Sequence, residues 1–312
     1  MLSLQSSAFF LPMLKIAWTK AYAHSLPENH RFPMEKYDLL PEQLIYEGTI
    51  TESNLFAPDL LSEKQILRTH DHEYWHKLKN LKLTRKEERK TGFPLSAALV
   101  RRERIINQGT IDAAIFALQY GVAMNIAGGT HHAFSDRGEG FCLLNDIAIA
   151  AHYLIDKDLA RNILVVDLDV HQGNGTAEIF RDEPRVFTFS MHGGHNYPMQ
   201  KEISDLDISL TDGCDDKTYL SSLERNLPQL IDRQSPDFIF FQSGVDILAT
   251  DKLGRLGVTA EGCKQRDAFV FNQAKQNGLP IVAVMGGGYS IKIADILEAH
   301  SNTFRVAQNL FF

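Results

Sequence analysis

The sequence predicts an α/β fold, a single domain with a mainly parallel β-sheet flanked by helices on both faces. Three observations predict it. Residues 163–166, 238–241 and 281–284 are continuous apolar runs without polar alternation, the pattern of strands buried on both faces. Helical stretches separate these runs, as right-handed crossovers between parallel strands require. No repeat, low-complexity linker or compositional break interrupts the 312 residues, a length that one large α/β domain can hold.

Composition narrows the function classes. Hydrophobic residues at 44% and charged residues at 23% suit a soluble protein with a sizeable core. A net charge of −7 gives no footprint for nucleic acid or for an anionic membrane. No apolar run approaches the roughly 20 residues that cross a bilayer. Cys142, Cys214 and Cys263 are scattered and odd in number, which suggests neither a disulfide framework nor a cysteine metal site. A reducing cytoplasm is the expected setting. Residues 1–12 carry a short apolar patch with no basic residue before it, unlike a secretory signal. They are expected to lie outside the fold as an extension, leaving residues 13–312 as the domain.

In chain order, residues 14–18 read as the first strand. Residues 19–35 are polar and irregular, with His24 and His30 expected on surface loops. Residues 37–81 read as short helices and turns. His72 and His76 stand one helical turn apart but lack an H-E-x-x-H pattern, so an amphipathic helix turning Tyr74 and Leu78 inward is expected. The charge run 82–90 reads as a solvated loop or helix end. Residues 95–107 form a helix stopped by Gly109, and Thr110 caps a second one ended by Gly121. Residues 122–127 are a strand. A helix runs from 145 to 154, a short one from 176 to 181, and a buried strand from 186 to 191. Helices follow at 218–233 and 259–277, and another from after Tyr289 to about residue 308.

Polar clusters follow four apolar runs: His131 with His132, then Asp167, Asp169 and His171, then Asp246, then Tyr289. In open α/β sheets, ligands bind beyond the carboxyl ends of the strands, so parallel strands would bring all four to one rim. Asp167, Asp169 and His171 alternate along extended chain and lean to one side. A carboxylate and an imidazole two residues apart can chelate a borderline-soft divalent cation, most often zinc. With two further histidines and a tyrosine, the rim has the parts for metal-assisted hydrolysis. Gly286-Gly-Gly288 lacks a phosphate-loop pattern. Those glycines are expected to let the backbone pass close to a ligand and aim the phenol.

The blocks Gly128-Gly-Thr-His-His-Ala-Phe, Gly140-Phe-Cys-Leu-Leu-Asn-Asp, Asp167-Leu-Asp-Val-His-Gln-Gly-Asn-Gly, Ser243-Gly-Val-Asp and Gly286-Gly-Gly-Tyr resemble the signature blocks of the zinc-dependent histone deacetylase superfamily, in family order. Ser135-Asp-Arg-Gly-Glu-Gly-Phe, His171-Gln-Gly-Asn-Gly and Asp251-Lys-Leu-Gly-Arg-Leu most resemble its class IV branch and bacterial relatives. The resemblance implies an arginase/deacetylase-like fold and one catalytic zinc held by Asp169, His171 and Asp246. It implies that His131 and His132 flank the reacting water, that Asp167 orients His131, and that Tyr289 polarises the acyl carbonyl. It further implies a structural potassium held by Asp167, Ser190 and the backbone carbonyls of Asp169, His171 and Met191. Gly140, Phe141, Tyr197 and Leu253 would line a tube for the alkyl-amine arm of an acylated lysine.

One departure stands out. The partner of His132 is Asn174, where many deacetylases carry Asp, and a neutral amide stabilises an imidazolium less. The class IV pattern shares that Asn. The expected activity is removal of acetyl or longer acyl groups from the Nε of lysine. An acetylpolyamine or other small N-acyl-amine hydrolase is the nearest alternative, and a non-catalytic acyl-lysine binding module is the alternative from another class. Oligomeric state is not legible.

Overall fold

The structure, a computed structural model, describes residues 12–312, so all of the expected N-terminal extension except Pro12 lies outside the described residues. Strand β1 (Lys15–Ala17) opens the fold, followed by a 3-10 turn at Lys20–Tyr22, α1 (Lys36–Tyr46) and the two-residue β2 (Leu55–Phe56). Short helices α2 (Glu63–Ile66), α3 (His72–Lys79) and α4 (Arg85–Thr91) precede the long α5 (Ala97–Tyr120) and β3 (Val122–Asn125). Then come α6 (Asp146–Asp156), β4 (Ile163–Asp167), α7 (Asn174–Phe180), β5 (Val186–Gly193) and β6 (Leu206–Leu210). The chain ends with α8 (Asp216–Gln234), β7 (Phe238–Gln242), α9 (Ala260–Gln276), β8 (Ile281–Val284) and α10 (Ile293–Phe311).

The eight strands form one sheet in the order β2-β1-β3-β8-β7-β4-β5-β6, and every pairing is parallel. Every residue of β3, β4, β7 and β8 is buried, which is why these strands show apolar runs and no alternation. The sheet is the α/β architecture that the sequence predicts. Its middle is assembled from distant segments, with β8 lying between β3 and β7. The carboxyl ends of these neighbouring strands carry the four polar clusters.

Several local expectations change. The two helices expected around Gly109 are one, α5, capped by Ser96, whose Oγ accepts from Leu99 N at 3.1 Å. Gly109 does not stop it, because tertiary contact overrides propensity. A Cβ there would run into the Tyr22 hydroxyl and come within 3.0 Å of Pro58, so glycine is what lets α5 pack on the neighbouring chain. The charge run 82–90 yields α4, started by Thr84 and Glu87 in a capping box and ended by Gly92 in the left-handed conformation. His24 and His30 lie in loops as expected, but both are half-buried. His30 Nε2 lies 2.8 Å from Gly92 O, and its ring stacks on Phe93. Helix α3 buries Tyr74, Trp75 and Leu78, and leaves His72 and His76 exposed. No helix of the described residues is long and apolar enough to cross a membrane.

Candidate active site

Strand β4 delivers Asp167 at its last position, and the turn beyond it carries Asp169 and His171. The turn after β7 carries Asp246. His171 Nδ1 lies 3.0 Å from both Asp169 Oδ1 and Asp246 Oδ2. One donor nitrogen and a carboxylate oxygen from each aspartate lie within 4.8 Å of one another, and all three residues are buried. Backbone amides hold the carboxylates: Val170 N donates to Asp246 Oδ1 at 3.0 Å and Gly287 N to Asp169 Oδ2 at 2.7 Å. The glycine turn is needed here, since a Cβ on Gly287 would overlap Asp246 and come within 2.9 Å of Asp169. Two buried carboxylates and an imidazole with converging lone pairs are a costly arrangement without a cation and a good one with it. These residues fit a divalent metal.

Burial and the neighbouring charges set the basicity of these groups. Burial, reinforced by Asp169, pushes the Asp246 carboxyl up to about 7. Burial alone would depress His171, but hydrogen bonds from its ring to the two carboxylates raise it to about 10. A positive charge at this point is what the surrounding groups favour.

Two imidazoles flank the centre, with ring centroids 4.2 Å apart. They follow β3 on a turn that begins with Gly128 and Gly129, both at positive φ. His131 Nδ1 meets Asp167 Oδ2 at 2.7 Å, and His132 Nδ1 meets Asn174 Oδ1 at 2.6 Å. The two differ sharply in basicity. Burial works against charge on His131, but Asp167 and Asp169 outweigh it and lift the group to about 9. Burial pulls His132 well below the ordinary histidine value, and repulsion from His131 and His171 adds to it.

Tyr289 closes the site from the turn after β8. Its backbone N donates to Asp251 Oδ2 at 2.6 Å, and Asp251 Oδ1 accepts from Leu253 N and Gly254 N at 2.8 and 2.9 Å. One carboxylate thus fixes both the tyrosine turn and the loop that brings Leu253 to the entrance. Burial raises the phenol well above its usual range, so it is a hydrogen-bond donor at neutral pH.

A cavity of about 40 Å³ lies among His131, His132, Phe141, His171 and Tyr289. An outer vestibule of about 480 Å³ shares all but His131 of these residues, shares Gly140 as well, and adds Tyr197 and Leu253. The expected tube residues therefore come together. Gly140 and Phe141 both have positive φ (52° and 68°), and for Phe141 that is a strained conformation. It is held by Gly140 N and Phe141 N, which donate to the carbonyls of Lys90 and Thr91 at 3.0 and 2.8 Å. Tyr197 sets its ring edge-on to His132, 5.0 Å between centroids, and donates its hydroxyl to Glu139 at 2.7 Å. Ser190 pairs in register with Asp167 across β4 and β5, and its Oγ lies 2.9 Å from His192 Nδ1.

Three residues of the site escaped sequence reasoning. Phe32 packs on Phe141 and Tyr289, with centroids 5.1 and 6.1 Å apart. Lys36 is wholly buried behind Tyr289, its Nζ 3.4 Å from Gly286 O and 5.7 Å from the tyrosine ring centroid. Arg31 lays its guanidinium 4.9 Å from the Phe141 centroid. All three come from the irregular stretch before α1 or its first turn, where no period marks a function.

Comparison with known proteins agrees with this geometry. Residues 30–304 match the model of the histone deacetylase domain. An uncharacterized protein of Picosynechococcus sp. is 43% identical over 290 residues, covering 93% of this chain and 97% of its own. Histone deacetylase 2 of Arabidopsis thaliana is 27% identical over 94% of this chain and 80% of its own. The solved structure of an HDAC homolog complexed with SAHA superposes with a TM-score of 0.84 at 25% identity, over 95% of this chain and 84% of that one. An HDAC homolog from Aquifex aeolicus shares the fold with a TM-score of 0.81 at 24% identity, over the same shares of the two chains. With the motif blocks gathered at one rim of the sheet the family describes, the chain belongs to the histone deacetylase family.

Proposed function

We propose that the protein is a zinc-dependent hydrolase that removes acyl groups from the Nε of lysine side chains, within the class IV branch of its family. The observation that carries this is the buried convergence of Asp169, His171 and Asp246 beside two imidazoles and a protonated phenol. Asp169, His171 and Asp246 would hold the zinc, which when bound supplies a Lewis acid and makes water a nucleophile near neutral pH. Asp167, Ser190 and the carbonyls of Asp169, His171 and Met191 would hold a structural potassium. Residues 13–312 are taken as the catalytic domain.

The chain's own groups divide the remaining work. Asn174 Oδ1 accepts the Nδ1 proton of His132, which leaves Nε2 as a lone pair facing the cavity. Kept neutral by burial, His132 takes the proton as water adds to the acyl carbon. Asp167 holds His131 in one orientation and favours its charged form. Tyr289 donates to the acyl oxygen as negative charge grows there. A protonated imidazole then gives its proton to the leaving amine, and the C–N bond breaks. Phe141, Tyr197 and Leu253 confine the alkyl arm and exclude water around it.

The test is turnover by zinc-loaded protein on an acetyl-lysine peptide, a long-chain acyl-lysine peptide and acetylspermidine. Faster cleavage of either peptide supports a lysine deacylase and gives the preferred chain length. Preference for acetylspermidine makes the protein a polyamine hydrolase on the same machinery. Tight peptide binding without any turnover favours an acyl-lysine binding module.

A further inference from the structure

The vestibule carries charge of the opposite sign to the chain as a whole. Among the described residues that line it, the ionised side chains outside the catalytic centre are Arg31, Arg89, Lys90 and Glu139. Glu139 is already committed: it lies 3.1 Å from Lys90 Nζ and 2.9 Å from Arg137 Nε, and accepts from Tyr197 at 2.7 Å. Arg31 is exposed, lies on the Phe141 ring, and forms no ion pair among the described residues. Arg89 is exposed and, among the described residues, donates only to the Arg85 carbonyl, at 3.2 Å. Arg85, also exposed and without an ion pair among the described residues, lies beside it in an adjoining groove. Glu88 also lines that groove, half-buried, with its Oε1 accepting from Leu95 N at 2.9 Å. Three guanidiniums without an ion pair among the described residues thus outnumber this one carboxylate at one side of the entrance, on a chain whose net charge is −7.

An acylated lysine has lost its ammonium, so the arm inside the tube is neutral. The entrance therefore feels only the charges beside that lysine. An N-acyl polyamine keeps its remaining ammonium groups a few bonds from the acyl nitrogen, where they would face Arg31 and Arg89. Like charges held so close discriminate strongly between partners. From this geometry, and resting on the reading of the site as an acyl-amine hydrolase, we infer that the entrance selects an acyl-lysine flanked by acidic residues and turns away polycationic substrates. Arg31, Arg85 and Arg89 are the specificity-determining residues, and the planar fork of each suits a carboxylate.

The experiment compares kcat/KM of the zinc-loaded protein on three acyl-lysine peptides of one length, flanked by Glu, Gln or Lys, at 0.05 and 0.5 M salt. The Glu peptide is expected to exceed the Lys peptide by about 10-fold or more at low salt, chiefly through KM, and the ratio to shrink at high salt as the charges are screened. Arg31→Gln/Arg89→Gln should bring the ratio toward one. Arg233→Gln, at the end of α8 that leads into the amino end of β7 and so lies away from the carboxyl-end rim, should keep it. Anisotropy of labelled peptides on Tyr289→Phe reads the same preference as binding, without turnover. Equal or better cleavage of the Lys peptide, or a ratio that survives the double substitution, overturns the inference and leaves the proposed activity standing. No cleavage of any peptide by zinc-bound protein, with anisotropy still ranking Glu over Lys, defeats the proposed activity and leaves the charge selection standing.

Discussion

His132 Nδ1 lies 2.6 Å from the amide oxygen of Asn174, whereas the adjacent His131 makes the equivalent contact, at 2.7 Å, with the carboxylate of Asp167. Two imidazoles in one cavity are therefore held apart in basicity by an amide and an acid. Asn174→Asp narrows that difference. A carboxylate favours imidazolium, so the His132 pKa should rise by about one unit or more. A general base works when neutral, so activity should fail at a higher pH on acidification. The check is the acid limb of the kcat/KM profile, which should move to higher pH; an unmoved limb would show that His132 is not the base.

Tyr289 and Asp246 should fail differently. Tyr289→Phe removes one donor to the developing oxyanion and should lower kcat by about 10²- to 10³-fold. KM and bound zinc should change little. Asp246→Asn removes a proposed ligand, so zinc stoichiometry by elemental analysis should fall together with activity. Full activity in both variants would sink the mechanism.

Lys36 is an ammonium buried without a carboxylate partner among the described residues, and burial lowers it to about 8 against attraction from Asp246 and Asp169. Because the folded value lies below the unfolded one of roughly 10.4, charging it at neutral pH costs stability that returns as pH rises between those values. The penalty is on the order of 3 kcal/mol. Lys36→Met should thus hold or raise Tm at pH 7, while loosening the contact to Gly286 that backs the tyrosine turn and lowering kcat. Paired melting curves and kcat measurements decide it. A large loss of Tm would assign Lys36 to the fold alone.

His70 ties two segments together, with Nδ1 2.9 Å from Phe134 O and Nε2 accepting from Asn145 N at 3.0 Å. Burial depresses it to about 4, below its unfolded value near 6.5. The unfolded chain therefore binds the extra proton first, and stability present above pH 6.5 is lost as pH falls toward 4. Between pH 7.5 and 5.5 this histidine should cost about 1 to 1.5 kcal/mol. Urea titrations of wild type and His70→Gln at both pH values give the test, and the wild type should show the steeper loss.

The central strands were legible because burial on both faces writes an unbroken apolar run, as in β4, β7 and β8. Strand β6 was not, because its alternation of half-buried Leu206 and Ile208 with exposed Asp207 and Ser209 sits at the sheet edge. Gly109 read as a helix stop because its reason for being glycine is a contact with Tyr22 and Pro58, which no window around it contains. The candidate ligands stood out because they end apolar strands. Lys36 did not, since its partner Gly286 lies 250 residues away and a lone lysine entering a helix reads as exposed.

The strand order has a consequence for how this protein comes into being. The two strands of this sheet that come latest in the sequence, β7 and β8, fill its middle, between β3 and β4. Asp246 and Tyr289 ride on the turns that follow them. A nascent chain can have both imidazoles, Asp169 and His171 already synthesised and still present an open gap where the metal pocket belongs. The chain must be made through β8 and the turn after it before the gap closes, because domains fold as units and these pairings are non-local. Competence to cut an amide thus waits for the turn that carries Tyr289, and a product truncated before it is blank rather than weakly active.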